Sequence, residues 1–221
     1  MNVCVATPDW PSLPGVHDRE FELADGPRLR GTLVLPERLA SAAPLVLCLH
    51  YGGTPSGWYG RALLETLIAP AWQALGAVMV APVASGGDWI NPRDTARVLE
   101  LLPAVAAHYG CGPRLVTGYS LGAIGTWHLI DASPDEFVAA VPIAGPAPNA
   151  TGGATPVRAL NSTADRLFAA ETTLLAVQAL AARGRDAACV LVDGVDHYAF
   201  GGYADALSAL MPWLAARCAG R

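Results

Sequence analysis

Lysine is absent from this chain: its fourteen basic residues are all arginine, set against nineteen acidic ones. That absence removes Schiff-base chemistry, a serine–lysine pair and the lysine of a phosphate-binding loop. The formal net charge of -5 and the lack of any basic cluster argue against a polyanionic partner, because nucleic-acid binding draws on a clustered cationic surface that releases counterions. Cysteine is sparse, and Cys4, Cys48, Cys111, Cys189 and Cys218 include no C-x-x-C pair. An odd number without that spacing indicates neither a zinc cluster nor a full disulfide framework. Cys48 and Cys189 stand inside apolar runs, where a free thiol acts as a small hydrophobe. No apolar run reaches the roughly 18 residues of a membrane span, and Met1 to Asp9 carry neither a basic stretch nor an apolar core. The expectation is a protein of a reducing compartment, cytoplasmic and without a membrane partner.

What the chain does have is apolar bulk. At 221 residues, 52% hydrophobic and 15% charged, it suits a central sheet buried on both faces. One domain spanning residues 1–221 is expected, with an irregular, proline-rich lead-in over residues 1–18. Glu20 to Leu23 and Leu29 to Leu35 alternate and are joined by the turn signal Asp25-Gly26-Pro27, which predicts an antiparallel hairpin at a sheet edge. From Leu45 onward, continuous apolar runs alternate with helix-patterned stretches. Strands are expected at Leu45 to Leu49, Ala77 to Ala81, Arg114 to Thr117, Phe137 to Ala144, Val157 to Asn161 and Ala188 to Val192. Helices are expected near Arg61 to Leu75, Pro92 to His108, Ala123 to Ile130, Phe168 to Arg183 and Ala204 to Arg217. Continuous strands separated by helices mean a mostly parallel α/β sheet with helices on both faces. The connection Gly145 to Ala154 is short and without apolar periodicity, leaving no room for a cap domain there.

Working residues in such a sheet collect beyond the carboxyl ends of the strands. Gly118-Tyr119-Ser120-Leu121-Gly122 lies between a strand and a helix, where small neighbours let Ser120 sit on a sharp, strained turn with its hydroxyl exposed. A serine hydroxyl becomes a good nucleophile only when a base takes its proton, and the base needs an acid to fix its tautomer. His197 follows the last strand. Asp165 closes the loop after the preceding one, so both should reach the same edge. Asp165 read alone could instead cap the following helix, and Asp193 and Asp196 are competing acids. His50 ends a buried strand and reads as a structural histidine that ties loops together. The turn after it, His50-Tyr51-Gly52-Gly53-Thr54, can present backbone N–H groups to a developing oxyanion; the donors expected are the amide of Leu121 and that of Gly52 or Tyr51.

These stretches resemble the α/β-hydrolase superfamily, and within it small carboxylesterases, dienelactone hydrolases and related predicted peptidases. The resemblance runs from about Phe21 to Trp213. It rests on Leu47 to Gly53, Gly118 to Trp127, Ala140 to Gly145, Asp165 and His197, in the chain order serine, acid, histidine. It implies the α/β-hydrolase fold, hydrolysis of a small-molecule carboxylic ester, and no metal or organic cofactor. Tyr51 departs from the pattern, standing where these families usually have glycine. Trp58, Tyr59, Trp89, Tyr198 and Phe200 fall on loops expected near the cleft and, with Tyr51, are the candidates for substrate contact.

Overall fold

Seven backbone positions pair Gly15–Phe21 (β1) with Leu29–Leu35 (β2), from Gly15 opposite Leu35 to Phe21 opposite Leu29. The computed structural model, which describes residues 10–24, 26–147 and 153–220, therefore contains the expected antiparallel hairpin at the edge of the sheet. Its first strand is displaced, however: it begins at Gly15 rather than near Glu20, so residues 15–18 of the expected irregular lead-in belong to a strand. The cause is that β1 is an edge strand whose residues are mostly half-buried, and its extent is set by the backbone ladder to β2 more than by side-chain alternation. Asp25 of the turn signal lies outside the described residues.

Beyond the hairpin, Leu45–Leu49 (β3), Val78–Pro82 (β4), Arg114–Tyr119 (β5), Ala139–Ile143 (β6), Val157–Ser162 (β7) and Ala187–Val192 (β8) run parallel. Among the described residues the sheet has eight strands in the order β1-β2-β4-β3-β5-β6-β7-β8. Strands β3, β4 and β6 are buried at every position, as continuous apolar runs require when both faces are covered. In β3, Leu45, Leu47 and Leu49 enter one core with Trp127 and Val105, while Val46 and Cys48 enter the other with Trp72 and Leu207. Successive side chains of one strand thus serve opposite faces.

The expected helix near Arg61 to Leu75 is composite. Arg61–Leu63 (α1) opens into a wider π-helical turn at Leu64–Ile68, resumes as Ala69–Trp72 (α2) and tightens to a 3-10 turn at Gln73–Leu75. Pro70 lacks the N–H that a regular ladder would direct to Thr66, and the N–H of Ala69 reaches back to the carbonyl of Leu64 instead. Pro92–Tyr109 (α3) is capped by the Asn91 side chain. Leu121–Ala132 (α4) follows β5, and Ala170–Ala182 (α5) starts two residues later than expected at Phe168. The closing helix divides into Ala204–Ala209 (α6) and Met211–Ala219 (α7), with Pro212 in the first turn of the second piece, where its missing N–H is tolerated.

Strand order reverses across β3 and β5: β4 lies to one side of β3 and β5 to the other. At such a switch point the connections leave in opposite directions and open a crevice at the carboxyl ends of the strands. Half of the connection from Gly145 to Ala154, residues 148–152, lies outside the described residues.

Candidate active site

Ser120 stands at this crevice, between the last residue of β5 and the first of α4, with φ 56°. A non-glycine residue in that region is strained, and the neighbouring glycines make the turn possible. A Cβ on Gly118 would lie 2.2 Å from the carbonyl oxygen of Gly122, and one on Gly122 would lie 2.1 Å from that of Leu49. The N–H of Ser120 donates to the carbonyl of Ile143 at 2.9 Å, which ties the turn to β6. The hydroxyl is thereby aimed out of the sheet.

It meets His197. The Ser120 hydroxyl lies 3.0 Å from His197 Nε2, and His197 Nδ1 lies 2.8 Å from Asp165 Oδ2. The imidazole side chain is 6% exposed and the carboxylate 0%, so the pair is shielded from water, where a charge-assisted hydrogen bond gains strength. The other Asp165 oxygen accepts the N–H groups of Leu167 and Phe168 at 2.8 and 2.9 Å. Asp165 therefore shapes its own loop and also orients the histidine. The competing acids are engaged elsewhere: Asp193 accepts from the Thr163 hydroxyl and Asp196 from the N–H of Tyr198. The loops carrying acid and histidine are joined at Ser162, whose Oγ accepts the N–H groups of Ala164 and Val195 at 3.1 and 3.0 Å. Beneath the imidazole, the Tyr119 hydroxyl donates to the carbonyl of His197 at 2.6 Å. With Nδ1–H directed to the carboxylate, the Nε2 lone pair faces the serine and can accept its proton.

The loop after β3 is fixed from behind through three successive carbonyls. That of His50 accepts the indole N–H of Trp89 at 2.8 Å, that of Tyr51 accepts Nδ1–H of His50 at 2.6 Å, and that of Gly52 accepts the Tyr59 hydroxyl at 3.0 Å. His50 Nε2 accepts the N–H of Ala84 at 3.0 Å, which fixes the neutral tautomer. Burial, partly opposed by its bond to Tyr51, pushes the His50 pKa down to about 4. Because the peptide unit is planar and trans, the N–H groups of Tyr51, Gly52 and Gly53 point away from those three anchors. Gly52 abuts the start of α4: a Cβ there would lie 2.5 Å from Leu121 Cδ1. The N–H of Leu121 is in the first helical turn, outside the intrahelical ladder. The structure so brings Leu121, Gly52 and Tyr51 together around Ser120.

A cleft of about 500 Å³ opens over these groups, and its walls include Tyr51, Leu121, Leu167, Phe168, Tyr198 and Phe200. Three of the expected aromatics, Tyr51, Tyr198 and Phe200, border it. Trp58, Tyr59 and Trp89 do not. Trp89 is 2% exposed and lies under His50; Gly125 makes the space, since a Cβ there would be 2.2 Å from that of Trp89. Tyr59 packs edge-on against His50 at 4.9 Å, and the carbonyl of Trp58 accepts the N–H of Arg61. The reading of loops missed Leu167 and Phe168, although an apolar pair two and three residues beyond Asp165 was the available signal. A larger hollow of about 850 Å³, bordered by β2 and by Glu65 to Gln73, shares no residue with the cleft. Among the described residues no group of His, Cys, Asp and Glu could hold a metal ion, and no helix is long and apolar enough to cross a membrane.

The architecture has counterparts among solved structures. A thermostable esterase matches 90% of this chain at a TM-score of 0.74 and 19% identity, and this chain spans 62% of that protein. A serine hydrolase without a lid from Xanthomonas campestris matches 94% of this chain and 98% of its own, with TM-score 0.70 and 18% identity. The fluorophosphonate-binding serine hydrolase F of Staphylococcus aureus matches 92% of this chain and 99% of its own, with TM-score 0.71 and 13% identity. No family model and no curated protein matches the sequence. The chain has the α/β-hydrolase fold, in its open form with a mostly parallel sheet and an N-terminal antiparallel hairpin.

Proposed function

We propose that this protein is a serine hydrolase of carboxylic esters, working as a single domain through an acyl-enzyme intermediate. His197 takes the proton of Ser120 as the serine oxygen attacks the ester carbonyl, and the carbonyl oxygen becomes an anion. The N–H of Leu121, with that of Gly52 or Tyr51, stabilises this anion, each such donor being worth about 3 to 4 kcal/mol in a preorganised site. The carbon–oxygen bond to the alcohol then breaks, and His197 hands the proton to the departing oxygen. Water attacks the acyl-serine by the same route in reverse, releasing the acid and restoring the hydroxyl. Asp165 holds the imidazole in the right tautomer and offsets its charge while it is protonated. No step calls for a metal or an organic cofactor.

The observation that carries this reading is the unbroken line from Ser120 Oγ through His197 to Asp165, at 3.0 and 2.8 Å, beside a strained serine that only the flanking glycines permit. The esterase and serine-hydrolase neighbours support the same chemistry. Ser120→Ala is expected to lower turnover of p-nitrophenyl acetate by roughly 10⁴-fold or more, leave the unfolding midpoint intact and abolish labelling by a fluorophosphonate. A variant that still hydrolyses the ester at the parental rate removes Ser120 from the mechanism.

A further inference from the structure

To collect its proton, the departing alcohol oxygen has to come within hydrogen-bond reach of His197 Nε2. Whatever that oxygen carries must continue past the imidazole. Two rings bordering the cleft stand there: Phe168, with its centroid 5.4 Å from that of His197 at 68°, and Tyr198, 5.4 Å away at 89°. Both loops are pinned close to these rings, since the N–H of Phe168 donates to Asp165 Oδ1 and that of Tyr198 to Asp196 Oδ1. Tyr198 is 84% exposed and Leu167, next to Phe168, is 55% exposed. Large apolar surface is thus left open to solvent at one point of the rim, and such surface commonly marks a binding site.

The other two aromatic residues that the sequence offered at this cleft, Tyr51 and Phe200, differ. Tyr51 and Phe200 stack on each other at 6.1 Å, and their further ring contacts are to Tyr59 and Tyr119. Tyr51 adjoins Gly52, one of the proposed oxyanion donors, and none of these ring contacts is to the imidazole. Tyr119 also approaches His197, but it is 3% exposed and its hydroxyl is taken by the His197 carbonyl, so it supports the imidazole from beneath. Among the described residues no arginine borders the cleft.

We propose that Phe168 and Tyr198 bind the alcohol half of the substrate, and that this half is an uncharged group carrying an aromatic ring; this rests on the ester-hydrolase reading above. The edge-on rings at the imidazole stand where a leaving group that takes its proton from Nε2 must pass.

Two isomeric esters test the assignment. Benzyl acetate places the ring on the alcohol and methyl phenylacetate places it on the acid, each one methylene from the ester. With each rate divided by that of hydroxide-catalysed hydrolysis, kcat/KM is expected to favour benzyl acetate by roughly tenfold, the size of a pair of aromatic contacts. In Tyr198→Ala and in Phe168→Leu the ratio between the two esters is expected to fall by roughly threefold; a general loss of fold would lower both rates and leave the ratio alone. A parental ratio of one or less, or a ratio unmoved in both variants, overturns the assignment. So does failure to hydrolyse either ester by a protein whose Ser120 reacts with a fluorophosphonate. Hydrolysis of both esters that persists in Ser120→Ala, or a Ser120 inert to the probe, brings down the hydrolase reading itself.

Discussion

Around Ser120, one half of the cleft is backbone fixed from behind and the other is side chains standing in solvent. In the first half, three consecutive carbonyls are anchored by Trp89, His50 and Tyr59, and two glycines sit where a Cβ would come within 2.2 Å of a carbonyl oxygen. In the second, Tyr198 is 84% exposed and Leu167 55% exposed. The difference teaches where precision is required. Groups that face developing charge must be aimed before the substrate arrives, whereas groups that recognise an apolar fragment can vary in size without disturbing the fold.

The largest expected effect tests how little the fixed half tolerates. Gly122→Ala puts a methyl group 2.1 Å from the carbonyl oxygen of Leu49, where no flexible side chain can yield. It should cost more than about 3 kcal/mol by the shift in denaturation midpoint, or prevent folding outright; a midpoint close to the parental one would mean that the elbow is far looser than its contacts indicate.

A second test uses pH. His50 is held neutral in the fold, with its pKa lowered from 6.5 to about 4 by burial. Between those values the unfolded chain binds more protons than the native one, so stability rises with pH across that window and is lost as pH falls from 6.5 towards 4. The upper bound on this contribution is about 3 kcal/mol. In His50→Gln the dependence of unfolding free energy on pH should flatten across the window, although stability at neutral pH will be lower. An unchanged acid limb would assign the dependence to other groups.

The smallest effect sharpens the comparison most. Tyr59 reads from sequence as a substrate contact, which would make its loss a matter of KM. The structure instead has its hydroxyl holding the Gly52 carbonyl at 3.0 Å, behind the loop. Under the proposed function, in which this loop supplies an oxyanion donor, Tyr59→Phe should therefore lower kcat by roughly three- to tenfold with KM within about twofold. A rise in KM at constant kcat would return Tyr59 to the substrate-facing wall.

The elements legible in the sequence were those whose chemistry leaves few choices. Parallel strands buried on both faces read as continuous apolar runs, and β3 to β7 stand within a few residues of the expected places. Ser120, Asp165 and His197 could be placed because each ends or follows a strand, and strand ends share one edge of the sheet. Long-range packing was not legible. Nothing local in Asp88-Trp89-Ile90 tells that the indole turns inward, because the space it occupies is created by Gly125, on the helix that follows the next strand. The displaced β1 and the divided closing helix have simpler causes: a ladder that side-chain alternation does not report, and Pro212, whose missing N–H starts a new helix. Phe168 was read as the first residue of a helix, whereas the Asp165 carboxylate accepts its N–H and keeps it in the loop.

One hydroxyl described above reaches further than its size suggests. Tyr119 occupies the residue before the serine, and its phenol grips the main chain of His197 at 2.6 Å, so segments 78 residues apart in sequence are bolted together within one side chain of Ser120. Lifting the imidazole away would mean tearing a bond sealed inside the sheet. The resting molecule consequently holds Ser120, His197 and Asp165 in contact before any ligand is bound.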